Sequence, residues 1–190
     1  MRIVIFLLSS VAAYAQTVPP PITQAERLKW ATVSTVGAPS LLGGAITSGF
    51  STAINSPPEY GTHWEGYGKR NGLRLSGAAA SNLMEAELGG LWGEDPRYRR
   101  IGTGPAKTRV WHAVKAGFTA SNRKGNTMPA YARYIAIPVS NVISNTWRPD
   151  SQHTAGQVTT RISLGFISHI SANVFAEFWP DIQTHVFHKK

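Results

Sequence analysis

Five residues spaced four apart carry the strongest chemical signal in this chain: Arg161, Gly165, His169, Asn173 and Glu177. On a helix, such steps place every side chain along one slowly turning line. The surrounding segment, Ile162 to Trp179, is largely apolar. A carboxylate there needs a partner, or it takes up a proton and becomes neutral. Upstream, Glu85, Asn82, Asn141 and Asn145 could supply partners, and Arg74 or Arg133 could neutralise a carboxylate. Two readings follow. His169, Glu177 and Glu85 could form a general acid–base site in a pocket between helices. Alternatively, Asn82, Asn141, Asn145 and Asn173 belong to a satisfied polar network that fixes helix register. The network is favoured, because asparagines at helix interfaces usually hydrogen-bond across them.

Other chemistry finds less support. The six histidines (63, 112, 153, 169, 185 and 188) form neither HExxH nor Glu-x-x-His, and only ten acidic residues are present, so no metal centre is expected. His185-x-x-His188 could take up a metal adventitiously. Without cysteine, thiol catalysis and disulfide stapling are excluded. There is no G-x-S-x-G, and Ser81, Ser140 and Ser144 read as residues that cap or bridge helices. Gly66-x-Gly68, followed by Gly72, lacks the strand and spacing of a phosphate loop, and no cofactor is expected. Glu94-Asp95-Pro96-Arg97-Tyr98 reads as a turn in which Asp95 caps and Arg97 pairs with an acid. Its functional alternative is an anionic-ligand contact through Arg97, Arg99 and Arg100.

The elements that would position these groups are helices. Thr23-x-x-Glu26 is a capping box opening a helix over about 24–33, with Leu28, Ala31 and Thr32 as its apolar face and Trp30 beside it. Residues 39–54 begin with a Pro and continue with small and apolar residues, among them Gly43, Gly44 and Gly49, which permit close backbone approach. Residues 59–72 read as an ordered loop before a helix over 73–91, stopped by glycines. Another helix is expected over 108–120, and 130–147 reads as a helix kinked at Pro138. The segment between, 118–131, reads equally as a hairpin or a helix–loop–helix. Residues 154–179 form a helix apolar nearly all round, expected at the bundle centre and closed by Pro180. The expected fold is therefore mainly α: a single compact bundle of about five or six Gly/Ala-rich helices, with a short β-hairpin near 118–131 as an option.

Residues 1–15 have the layout of a secretory signal peptide, with Arg2, the apolar run Ile3–Leu8 and the small-residue site Ala13-Tyr14-Ala15. A Pro-rich spacer, 16–22, then leads into one domain, 23–190. The formal charge is +9, or about +8 once Arg2 leaves with the leader. The basic pairs are scattered and no nucleic-acid-binding signature appears, so nucleic acid is not an expected partner. For an exported chain the expected partners are membrane lipid or an anionic envelope polymer.

The segments PPEYGTHWEGYGKR, WGEDPRY, SNTWRPD and FAEFWPDI resemble a family of exported bacterial proteins of unknown function. The resemblance spans roughly 23–188. It implies one exported bacterial domain and assigns no activity, cofactor or site residue.

The favoured function is a non-enzymatic, exported cell-envelope protein, periplasmic or envelope-associated, that binds membrane or an anionic envelope component. The alternative is a hydrolase or transferase acting on lipid or cell wall through His169, Glu177 and Glu85. A third option is a homo-oligomer built through a Gly44/Gly49 face.

Overall fold

The computed structural model describes residues 20–187, with side chains as far as 184. The expected leader, most of the spacer and the side chains of His185 and His188 lie outside the described residues. The described chain is a mainly helical bundle: α1 Gln24–Val36, α2 Ala38–Ala53, α3 Trp64–Trp92, α4 Ala106–Ala116, β1 Thr119–Ser121, β2 Thr127–Pro129, α5 Tyr131–Ile143 and α6 Ala155–Phe187. Short 3-10 turns fill Pro58–Tyr60, Ser144–Trp147 and Asp150–Gln152.

Local chemistry sets several of these boundaries. The Thr23 capping box is complete: Glu26 N–H donates to Thr23 Oγ1 at 3.3 Å, and Thr23 N–H donates to Glu26 Oε2 at 2.8 Å. Gly93 ends α3 at φ 80°, a left-handed position that favours glycine. Between α4 and α5 the chain forms the hairpin rather than a helix–loop–helix, with Thr119 opposite Pro129 and Ser121 opposite Thr127.

Three expected elements differ. Most of the loop expected at 59–72 is helix, because Arg70 binds the preceding turn to it. Its Nε donates to the Ser56 carbonyl at 2.9 Å, and Nη1 and Nη2 donate to those of Gly61 and Pro57, each at 2.7 Å. Gly66 lies against the Tyr60 and Gly61 carbonyls, where a Cβ would not fit. The last helix passes through Pro180 to Phe187. Beyond that proline it is held by Asp181, which pairs with Arg100 at 2.8 Å and Arg109 at 2.6 Å. Finally, residues 94–100 run on from the expected turn as a strap: Asp95 Oδ1 accepts the Arg97 N–H at 3.0 Å, as a capping Asp95 would, and Asp95 also exchanges backbone hydrogen bonds with Ser121 at 2.7 and 3.3 Å.

The central helix is α3, packed by α1, α2 and α5, while α6 lies outside against α4 and α5. The expectation of a central, all-round-buried last helix is therefore corrected: Leu164 and Ile167 are exposed. The apolar face expected on α1 is corrected as well. Arg27, Ala31 and Thr35 turn inward, and Leu28 turns out.

The same inversion runs through the bundle. Inward seams step by four through small or polar residues: Gly44 and Ser48 on α2, Arg109 and Ala113 on α4, and Ala132, Ala136 and Ser140 on α5. Small seams let helix backbones approach closely. Many large apolar side chains point outward, with Ile46 72%, Phe50 65% and Trp111 63% exposed, whereas Ile137 on α5 is buried. Arg133, Glu85, Glu94 and Glu177 are buried. Among the described residues, no helix is long and apolar enough to cross a membrane.

Candidate functional site

The four-step line on α6 faces inward along its length. Arg161 Nη1 donates to the Gln152 carbonyl at 2.7 Å, and Nη2 donates to Asn145 Oδ1 at 2.6 Å. At Gly165 the absent Cβ makes room for Ile137, whose Cγ2 would stand 2.7 Å from such an atom. His169 reaches Glu85, with Nε2 3.5 Å from Oε2, and its ring stacks on Trp30 at a centroid distance of 6.5 Å. Asn173 Nδ2 donates to the Ala113 carbonyl on α4 at 3.2 Å.

Glu85 and His169 belong to one buried cluster. Arg133 donates Nε to Glu85 Oε1 at 3.0 Å, and its Nη1 donates to the Ala116 and Gly117 carbonyls at 2.9 and 2.8 Å. Burial pushes the Glu85 carboxyl up, and Arg133 opposes this. Burial, then the nearby Arg133 charge, holds His169 well below its ordinary value of 6.5, so the imidazole is neutral at pH 7.

Glu177 belongs to a second cluster, two helical turns away, or roughly 12 Å of helix rise from His169. Its carboxylate accepts from Arg109 Nε at 2.7 Å, Tyr98 Oη at 2.7 Å, Gly102 N–H at 2.9 Å and Ile101 N–H at 3.1 Å. Burial by itself would raise this group. The bonds from Arg109, Tyr98 and the two backbone N–H groups win and hold it down at about 2. The guanidinium of Arg109 also lies 4.3 Å over the Phe178 ring. Glu177 therefore anchors the strap to α6 as a fixed anion.

Strap acids do similar work. Glu94 accepts the Trp92 indole N–H at 2.6 Å and the Ala132 N–H at 3.2 Å, placing a carboxylate at the start of α5. Arg97 forks onto Asp95, with Nη2 2.8 Å from Oδ2 and Nε 2.9 Å from Oδ1, and reaches Glu26 at 3.1 Å. Arg100 binds the Glu177 carbonyl at 2.9 Å as well as Asp181. Of the three arginines considered as anion contacts, Arg97 and Arg100 thus have close internal acids. Arg99 has one longer contact, 3.4 Å to Asp95, and lines a cavity of about 310 Å³ beside α1 and the α3 C-terminus.

The asparagines divide. Asn82 donates to Thr35 Oγ1 at 3.0 Å, joining α3 to α1. Asn145 and Asn173 also bridge separate segments. Asn141 donates to the Ile137 carbonyl of its own helix at 2.9 Å and, among the described residues, makes no bond to another helix. Arg74, considered as a carboxylate partner, instead occupies the space left by Gly44 and binds Ser40. Gly49, by contrast, has open space around its Cβ position, so Gly44 and Gly49 do not make one face.

Chemically, Glu177 is an anion committed to Arg109, Glu85 is a buried carboxyl committed to Arg133, and His169 is a neutral ring near only Glu85. The His169/Glu177/Glu85 trio does not converge. Sequence reasoning missed Arg109 and Tyr98 as partners of Glu177, and Arg27 and Arg123 as cavity-lining cations. The available signal was the dense run of strap arginines facing few acids. Comparison with protein-family models, curated proteins and solved structures finds no significant match.

Proposed function

We propose that this is an exported, non-enzymatic cell-envelope protein whose outer helix faces rest in membrane lipid. One observation carries the reading: the packing is largely inverted, with small and charged residues dominating the interior and many large apolar residues outside. Burying a Phe, Leu or Ile side chain is worth about 1.5–3 kcal/mol, so water on these faces is a large unmet term. The exposed apolar side chains occur on all six helices, including Val33 on α1, Phe50 on α2, Leu91 on α3, Trp111 on α4, Val142 on α5 and Ile167 on α6. A single self-interface covers one patch, whereas a lipid phase covers many. On α4, Lys107, Trp111 and Lys115 follow at four-residue steps and are exposed, a pairing suited to the boundary between acyl chains and anionic headgroups. The leader-like residues 1–15 and the resemblance to exported bacterial proteins agree with this placement.

The hydrolase or transferase alternative has less support, because its three residues sit in two separate ion-paired clusters. The test is flotation of the mature protein with phosphatidylcholine vesicles, with and without phosphatidylglycerol. Co-flotation with both, stronger with the anionic lipid and resistant to carbonate, is expected. Full recovery in the soluble fraction at low salt overturns the reading.

A further inference from the structure

The cavity between α1 and the end of α3 has a composition that neither cluster above uses. Three arginines line it: Arg27, Arg99 and Arg123. Arg27 is 5% exposed; Asp95 and Glu87 attract it from a distance, and neither closes to an ion pair with it among the described residues. Its one hydrogen bond runs from Nη1 to the Ala86 carbonyl at 3.4 Å. A buried guanidinium so weakly matched is costly unless an anion meets it. Two carboxylates also line the space, so the three guanidiniums outnumber them by one. Glu87 accepts from Gln24 Nε2 at 2.7 Å, and Asp95 is held by the Arg97 fork.

The floor of the cavity is glycine backbone. A Cβ on Gly89 would stand 3.1 Å from Arg27 Nη1, and one on Gly93 would stand 2.5 Å from Arg123 Nε. These bare positions let the Arg27 and Arg123 side chains pack close against the end of α3. Arg27 feels the attraction of Asp95 first and, after it, the repulsion of Arg123. At the rim stand Leu91, 76% exposed, and, in the adjoining cavity, Trp92, 40% exposed, with Lys124. Cations in a recess beside exposed apolar side chains match a phosphoryl group joined to an apolar body.

We infer that Arg27, Arg99 and Arg123 form a binding site for the phosphoryl headgroup of an anionic lipid, with Leu91 and Trp92 against its glycerol and acyl region. Guanidinium forks suit phosphate oxygens through parallel hydrogen bonds. The lipid source rests on the membrane reading above, whereas the phosphoryl chemistry rests on the cavity alone.

The test compares the full mature protein with Arg123→Gln, Arg99→Gln and a Lys69→Gln control. Lys69 is surface-exposed and pairs with Glu65. The first readout is the ratio of binding to phosphatidylglycerol-containing vesicles over phosphatidylcholine vesicles. The second is titration with soluble glycerol phosphate. Each cavity variant should lower the ratio about fivefold while binding to phosphatidylcholine persists, and Lys69→Gln should change it little. Vesicle binding with an unchanged ratio in both cavity variants overturns the site and leaves the membrane reading standing. No vesicle binding by the parent protein overturns the membrane reading and the lipid source. In that case, glycerol phosphate binding lost in Arg123→Gln retains the phosphoryl site with a soluble source, and its absence in the parent overturns it. Arg27→Gln adds a direct probe where circular dichroism shows that the variant folds.

Discussion

Arg133 on α5 and Glu85 on α3 form an ion pair in which Nε at 3.0 Å and Nη2 at 2.9 Å converge on one carboxylate oxygen, both side chains being 2% exposed. The other oxygen makes no hydrogen bond among the described residues and lies 3.5 Å from His169 Nε2. The pair joins the two helices that share the largest contact in the bundle. Replacing one partner alone strands a buried charge. Arg133→Met should destabilise the protein by about 3–5 kcal/mol, and Arg133→Met with Glu85→Leu should recover most of that loss. Urea unfolding followed by tryptophan fluorescence measures both. An additive double variant would show that the pair is not the coupled unit described.

His169 and Glu177 should each weaken the fold in acid, in separate windows, while Glu85, raised by burial, acts in the opposite sense. His169 is held below its ordinary 6.5, so the unfolded chain binds more protons as pH falls below 6.5, and stability falls with it. Glu177, at about 2 when folded against an ordinary 4.5, contributes stability that is full above pH 4.5 and lost as pH falls toward 2. His169→Gln should flatten the melting-temperature profile just below pH 6.5, and Glu177→Gln should flatten it between pH 4.5 and 2. Unchanged slopes would remove these groups from the acid response.

Glycine substitutions should split by position. An alanine methyl at Gly165 would meet Ile137 Cγ2 at 2.7 Å and should cost about 1–3 kcal/mol through overpacking. Gly43, in α2, has open space where a Cβ would sit. Gly43→Ala should therefore stabilise by about 1 kcal/mol through helix propensity. Chemical denaturation gives the sign of each; equal effects would contradict the packing at α6.

The outward side chains of α2 offer a test of inverted packing. Ile46→Gln and Phe50→Gln replace exposed residues and should each change folding stability by less than about 0.5 kcal/mol. Each should lower vesicle affinity roughly tenfold or more, in line with the burial value of a large apolar side chain. A large stability loss with unaltered vesicle binding would mean that these faces pack against protein.

The amino-acid sequence by itself determined the local events. Thr23 and Glu26 start a helix, Gly93 stops one, and the four-step line from Arg161 to Glu177 shares a helix face, because caps, left-handed glycines and the 3.6-residue period act within a few residues. It carried the asparagine contacts in part: Asn82, Asn145 and Asn173 each bridge separate segments, through three separate contacts, and Asn141 bonds within its own helix. Tertiary structure alone decided which face of each helix turns inward. Periodicity marks an apolar face and a small or polar face without saying which meets the solvent. That choice depended on Arg109 finding Glu177 across 68 residues of chain and Arg133 finding Glu85 across 48. The helical start of α3 likewise came from Arg70 reaching back to Ser56, Pro57 and Gly61. Such pairings satisfy buried charge only when distant segments arrive together, so no window of local sequence contains them.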